Sequence, residues 1–207
     1  MPLIILMTKW PAAGRCKSRL AKKIGSKNAA AIQTQLTKHT IAVAKNLERE
    51  GLVEIKLAIG GLSSKAEKRW AIREGVKQIG HQGDGSLGLR MRKQILKAQK
   101  VNIVRTTILV GSDLPSLGRV DLIKAIEALK EHEIVLGPSR DGGYWLIGLS
   151  KKLVKPVAIW PFSGISWGTN KVLKQTIQRA EKERVSYVLL REQNDIDQIE
   201  DLAPWNG

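Results

Sequence analysis

The sequence predicts an α/β fold, a mainly parallel sheet with helices on both faces. Strand signals and helix signals alternate along almost the whole chain, the pattern of parallel strands joined by right-handed crossovers. The run Thr106-Thr107-Ile108-Leu109-Val110 is β-branched and aliphatic, as a buried strand requires, and Gly111-Ser112 halts it. Neither an internal repeat nor a linker rich in Pro, Gly or Ser divides the chain, so residues 1–207 are expected to form a single domain with one core.

Residues 3–8 read as a first strand, followed by a loop with Pro11 and Gly14. Residues 18–24 suggest a short helix stopped by Gly25. A long helix follows over 27–50, with Ile32, Leu36, Val43 and Leu47 on one stripe and Gly51 past its end. Residues 53–59 are a second strand. Ser64-Lys65-Ala66-Glu67 has capping-box spacing and opens a helix that ends near Gly75. A short strand at 76–79 and a helix rich in Arg and Lys over 87–101 come next. Beyond the strand at 106–110 lie a helix near 120–131, strands at 134–136 and 144–149, a helix at 170–184 and a last strand at 185–190. The stretch 141–167 breaks the rhythm with Gly142, Gly143, Gly148, Pro156, Pro161, Gly164 and three tryptophans. It reads as an insertion over the end of the sheet that carries Asp113.

Composition narrows the function. No apolar run approaches the roughly 20 residues of a membrane span, and residues 2–7 are too short for a signal-peptide core, so cytoplasmic residence is expected. A single cysteine, Cys16, excludes an internal disulfide and a cysteine metal site. His39, His81 and His132 lack zinc spacing. Charge is uneven: residues 1–100 hold 21 Lys+Arg against 6 Asp+Glu, and residues 101–207 hold 14 against 13. A basic front half and an acid-bearing back half suit an anionic ligand held between cations and a carboxylate-bound metal.

Asp113 lies just past the carboxyl end of its strand, where ligands bind in open α/β sheets. There it is either a turn residue before a helix or a ligand for a hard divalent cation that bridges to phosphates. The loop Lys9-Trp10-Pro11-Ala12-Ala13-Gly14-Arg15-Cys16-Lys17-Ser18-Arg19-Leu20 follows the first strand and carries four cations beside a glycine, which makes it a phosphate cradle or else an exposed basic loop. It is not a P-loop, because Cys16 stands where that motif needs Gly. Gly83-Asp84-Gly85-Ser86-Leu87-Gly88 matches G-x-G-x-x-G, but no acid lies between Asp84 and Asp113 to hold a ribose, which excludes the dinucleotide reading. Asp141-Gly142-Gly143-Tyr144-Trp145 is a simple turn or a place where Asp141 meets a hydroxyl or an amine. In Asn194-Asp195-Ile196-Asp197, Asp197 is the expected second carboxylate for one cation, with helix capping by Asp195 or Asp197 as the competing role.

Taken in order, K-x-P-x-x-G-x-x-K-S-R-L, G-S-D-x-P-S-L, G-P-x-x-D-G-G-Y-x-L-I-G-L, W-G-T and D-I-D-x-x-E-D-L resemble a bacterial glycosyltransferase-like family. It includes arsenosugar-biosynthesis glycosyltransferases and lies within the nucleotide-diphospho-sugar transferase superfamily of GT-A fold. The K-S-R-L loop also resembles that of 2-phospholactate guanylyltransferases. The resemblance runs from Lys9 to Leu202. It implies that Lys9, Gly14, Lys17, Ser18 and Arg19 hold nucleotide phosphates, with Ser112 beside them. It implies Asp113 and Asp197 as ligands of Mg²⁺ or Mn²⁺. Gln82, Gly85, Gly88 and Arg90 match a Q-x-x-G-x-L-G-x-R loop near the base. Asp141, Gly142, Gly143, Tyr144 and Trp167 would face the sugar or acceptor. Ser86 and Leu89 stand where that loop commonly has acids, and Gln198 where the last motif commonly has Thr, which bears on base identity and acceptor choice.

The implied enzyme is a metal-dependent glycosyltransferase using a nucleotide-sugar and a small-molecule acceptor. Lys17 and Arg19 would neutralise the leaving diphosphate, and Asp141 would orient or deprotonate the acceptor. The alternative is a nucleotidyltransferase that joins a nucleoside triphosphate to a small phosphorylated substrate and releases pyrophosphate. A nucleic-acid binder ranks third, because Phe162, Tyr144 and Tyr187 are the only Phe and Tyr residues and no RNA-binding motif supports the six tryptophans.

Overall fold

A computed structural model describes residues 1–99 and 105–205. Seven strands, β1 (Leu3–Lys9), β2 (Glu54–Gly60), β3 (Gln78–His81), β4 (Thr107–Gly111), β5 (Ile134–Pro138), β6 (Tyr144–Leu149) and β7 (Tyr187–Leu189), form one sheet in the order β3-β2-β1-β4-β6-β5-β7. Every neighbouring pair is parallel except the two that involve β6. The α/β expectation is met, with one antiparallel strand inside the sheet.

The helices are α1 (Ser18–Ile24), α2 (Ser26–Arg49), α3 (Ser64–Arg73), α4 (Leu87–Gln99), α5 (Arg119–Glu131), α6 (Lys151–Val154) and α7 (Val172–Lys182), with a 3-10 turn at Glu200–Trp205. Successive strand side chains point to opposite faces, so each strand feeds two cores. Ile4, Leu6, Ile55, Leu57, Ile59, Ile108 and Val110 meet α2, α3 and α5 through Ile41, Ala44, Trp70, Leu122 and Ala125. Leu3, Ile5, Ala58, Leu109, Ile147 and Leu149 meet α4, α6 and α7 through Met91, Ile95, Val154, Leu173 and Ile177.

Some elements depart from the sequence reading. The buried face of α2 runs through Ala29, Gln33, Leu36, Thr37, Thr40, Ala44 and Leu47, while Ile32 and Val43 are only half-buried. The box at Ser64 is not formed: Ser63 is the N-cap and makes no side-chain bond, and Glu67 instead turns inward to His81 Nδ1 at 2.6 Å. The expected helix end at Val101 lies outside the described residues. The stretch 141–167 is not simply an insertion, since it contains β6, an interior strand of the sheet between β4 and β5. Only five residues, 139–143, join β5 to β6, too few for a crossover, so β6 returns antiparallel.

An ion pair between a buried Asp121 and a half-exposed Arg191 fixes the last strand's outgoing loop. Asp121, in the first turn of α5, accepts Arg191 Nε at 2.6 Å and Nη2 at 2.7 Å, and Gly118 N–H at 2.8 Å. Burial works against the Asp121 carboxylate, yet these donors outweigh it and hold its pKa below the ordinary value. A depressed folded-state pKa stabilises above the unfolded pKa and is lost as pH falls through the folded one. Arg191→Met should lower stability by about 1–3 kcal/mol, read from urea unfolding. The gap between wild type and Asp121→Asn should be full near neutrality and shrink below about pH 4.

Candidate active site

The strand order reverses direction beside β1: β2 and β3 lie to one side, β4 and its neighbours to the other. Loops leaving the carboxyl ends of β1 and β4 therefore diverge, and a crevice opens between them. A cleft of about 510 Å³ occupies this place.

Lys17 anchors it. Its side chain is 3% exposed, and its ammonium donates to Ile196 O and lies 3.6 Å from Asp113 Oδ2. The backbone of Ile196 donates in turn to Asp113 O at 3.3 Å. One cation thus joins the loops that follow β1, β4 and β7. Asp113 Oδ1 accepts Gln33 Nε2 at 2.6 Å, a bond sent up from α2. The Asp113 side chain keeps 44% of its surface open. Ser112 is buried behind it, with its hydroxyl 3.2 Å from Thr8 Oγ1.

On the β3 side, Gln82 is buried and donates to Thr8 O at 2.8 Å and Ala58 O at 2.9 Å. Its Oε1 accepts Arg90 Nη1 at 2.8 Å, which brings that guanidinium to the cleft. A Cβ at Gly88 would lie 2.6 Å from Trp167 Nε1 and would meet Phe162 O, so glycine is what lets α4 approach that loop. Trp167 then stands T-shaped to Tyr144, centroids 6.2 Å apart. On the β5 side, Asp141 Oδ1 accepts Ser139 Oγ at 2.5 Å and Gly143 N–H at 2.9 Å. Gly142, with φ +83°, has Asn170 backbone against its Cα, where no side chain fits.

Of the residues singled out from sequence, Lys9, Lys17, Gln82, Arg90, Ser112, Asp113, Asp141, Gly143, Tyr144, Trp167 and Asp197 line the cleft. Gly14, Ser18, Arg19, Gly85, Gly88 and Gly142 do not. Arg19 is turned to Asp197, 2.6 Å from its Oδ2 in an exposed pair. Arg15, Cys16, Gln33, Ser139, Thr169 and Asp195 line the cleft without having been singled out as site residues. Burial, and then the carboxylates of Asp141 and Asp113, push the Asp195 carboxyl above its ordinary pKa. Burial also raises the Cys16 thiol and the Tyr144 phenol, whose hydroxyl is sealed inside.

Among the described residues no three metal-ligating side chains converge as a closed cluster. Asp113 and Asp195 offer two carboxylates facing one space. That suits a hard cation which keeps water and takes its remaining ligands from a substrate phosphate.

Fold and cleft together define a class, an α/β domain of nucleotide-diphospho-sugar transferase architecture. The chain belongs to the family described as "Uncharacterized protein conserved in bacteria (DUF2064)", whose model matches residues 42–169. It is 36% identical over 98 residues to 2-phospho-L-lactate guanylyltransferase of Methanopyrus kandleri, a stretch covering 45% of this chain and 46% of that protein. The match thus spans about half the length of that curated relative. A solved structure from Desulfovibrio desulfuricans, described as a candidate nucleotide-diphospho-sugar transferase, superposes with a TM-score of 0.82 at 25% identity, over 96% of this chain and 84% of that one. Rv0371c of Mycobacterium tuberculosis, in complex with manganese, shares the fold at a TM-score of 0.55 and 16% identity, over 99% and 97% of the two chains. Among the described residues no helix is long and apolar enough to cross a membrane.

The two loop cations should separate cleanly in stability measurements. Lys17→Met leaves a buried carbonyl unpartnered, so it should lower the free energy of unfolding by about 1–3 kcal/mol. Arg19→Ala breaks only an exposed pair and should change it by less than about 1 kcal/mol.

Proposed function

We propose that this chain, folded as a single domain over residues 1–207, is a cytoplasmic, metal-dependent transferase that acts on a nucleotide-activated sugar. The observation that carries this reading is the pairing of cations and Asp113 across one cleft at the sheet's switch point. Lys9, Arg15 and Arg90 line the cleft with side chains able to face phosphates. Lys17 is already engaged with Ile196 O and Asp113, so its part is to hold the carboxylate and the phosphate loop in register. Positive charge fixed in advance around the diphosphate stabilises the negative charge that develops as the bond to the sugar breaks.

A divalent ion, Mg²⁺ or Mn²⁺, would be held by Asp113 with Asp195 or Asp197, and would supply further neutralisation of the diphosphate. Asp195 is the better second ligand, since Asp197 Oδ2 is already paired with Arg19. The manganese complex of a protein with this fold supports the choice of ion class. Asp141, braced by Ser139 and Gly143, can accept the proton of an acceptor hydroxyl. Gln82 fixes Arg90, and Tyr144 with Trp167 forms a wall on the acceptor side.

A second reading is favoured by the guanylyltransferase relative: transfer of a nucleotidyl group from a nucleoside triphosphate, with release of pyrophosphate. The same cations would then face the triphosphate. A nucleic-acid partner gains nothing from this cleft, which is too narrow in its aromatic content for base stacking along a strand.

Thermal-shift measurements with UDP-sugars and GDP-sugars against GTP and CTP, each with and without Mn²⁺, test these readings. The glycosyl reading expects a metal-dependent gain with a nucleotide-sugar, and the nucleotidyl reading expects it with a triphosphate. Asp113→Ala should abolish the metal-dependent part. An unchanged metal response in that variant would remove Asp113 from the mechanism.

A further inference from the structure

The cleft is divided by charge along the order of the strands. Its cationic lining residues, Lys9, Arg15, Lys17 and Arg90, all come from β1, the loop after it, and α4. On the other side of β4 the lining includes Asp141, Tyr144, Trp167, Thr169 and Asp195, and among the described residues no Lys or Arg joins them. Arg140, adjacent to Asp141 in sequence, does not line the cleft but a neighbouring recess with Glu192, Asp201 and Asp195, the last of which borders both. Asp113 stands at the boundary, 3.6 Å from Lys17.

The acidic half is built rather than merely acidic. Asp141 Oδ1 is occupied by Ser139 Oγ and Gly143 N–H, donors that fix the direction of the carboxyl group. Its second oxygen is left to accept a hydroxyl from a ligand. Trp167 and Tyr144, at 85° to one another, give apolar surfaces against which the C–H bonds of a ring or chain can pack. A phosphate entering here would meet Asp141, and among the described residues no Lys or Arg of this half lines the cleft to receive it.

We propose that the second substrate is an uncharged, hydroxyl-bearing molecule, and that Asp141 selects it against phosphorylated analogues. The proposal rests on the transferase reading. It also separates this chain from its guanylyltransferase relative, whose name specifies a phosphorylated acid. An uncompensated charge pair at such a surface discriminates by on the order of tenfold or more.

Calorimetric titration of this chain, residues 1–207, with matched pairs tests it: glucose against glucose 6-phosphate, ribose against ribose 5-phosphate, glycerol against glycerol 3-phosphate. Saturating UDP or GDP with Mn²⁺ first fills the cationic half, so that a phosphorylated probe cannot bind there instead. If neither nucleotide binds, the transferase reading has failed, and that is seen before any pair is added. Inorganic pyrophosphate then takes the nucleotide's place and the same comparison decides the selectivity. The expected result is that at least one neutral member binds about tenfold or more tightly than its phosphorylated partner. Asp141→Asn, which keeps an oxygen for Ser139 and Gly143, should bring the ratio to about threefold or less. Equal or tighter binding of the phosphorylated members by wild type, an unchanged ratio in Asp141→Asn, or no binding of any neutral member would each overturn the proposal.

Discussion

The ammonium of Lys17 has nowhere to go except into the junction of three loops. Its side chain is almost wholly enclosed, and a buried cation left unpaired is strongly destabilising. Ile196 O and the Asp113 carboxylate answer it, and they come from segments that follow β7 and β4. Lys17 is also a non-glycine residue in the left-handed region, φ 47°, a conformation held only where surrounding bonds over-determine it. The residue that bends the first loop into α1 is therefore the one that draws Asp113 and the Asp195–Asp197 segment toward it. Convergence of charge in the cleft is a consequence of satisfying one lysine.

Around that junction the rest of the cleft is set by topology. The sheet's switch point separates the loops of β1 and β4, and the antiparallel return of β6 places the Asp141 hairpin and Tyr144 on the far side of Asp113. Cations come from the first hundred residues and the carboxylates from the second half, so the skewed charge of the sequence becomes a charge gradient across one opening. Helix α2 supports the floor. Gln33 reaches Asp113, and Thr37 stands 3.3 Å from Gln33 Nε2 on the next turn.

That polar floor explains where the sequence could and could not be read. Strands β1, β2, β4 and β6 were legible because their aliphatic runs are buried on both faces and bounded by glycine or polar residues. The inward face of α2 was legible only in part: Leu36 and Leu47 of its apolar stripe are buried, but Gln33, Thr37 and Thr40 share that face. Their burial makes sense only once Asp113, eighty positions away, is placed above Gln33. Asp113, Lys17 and Asp141 were legible as groups at strand ends. Asp195 and Asp197 were not told apart, since both follow the last strand and both line the cleft; what distinguishes them is the pairing of Asp197 with Arg19, a contact between residues 178 positions apart. Glu67 has capping spacing in the sequence, yet its partner is His81 on β3, a contact that no local pattern encodes.

The Gly83-to-Gly88 segment shows how a pattern can be informative for a reason other than the one it suggests. As a dinucleotide fingerprint its last glycine would allow a helix to pack on a strand. Here Gly88 permits a different approach, that of α4 to the loop carrying Phe162 and Trp167. Two positions on, Arg90 receives its orientation from Gln82, which itself clamps the ends of β1 and β2. One short loop thus contributes to both halves of the cleft, a cation on one side and the seating of an aromatic wall on the other. A Cβ at Gly88 would collide with Phe162 O and the Trp167 indole, whereas Arg90 is held through Gln82, so the two halves are built by different contacts of the same element.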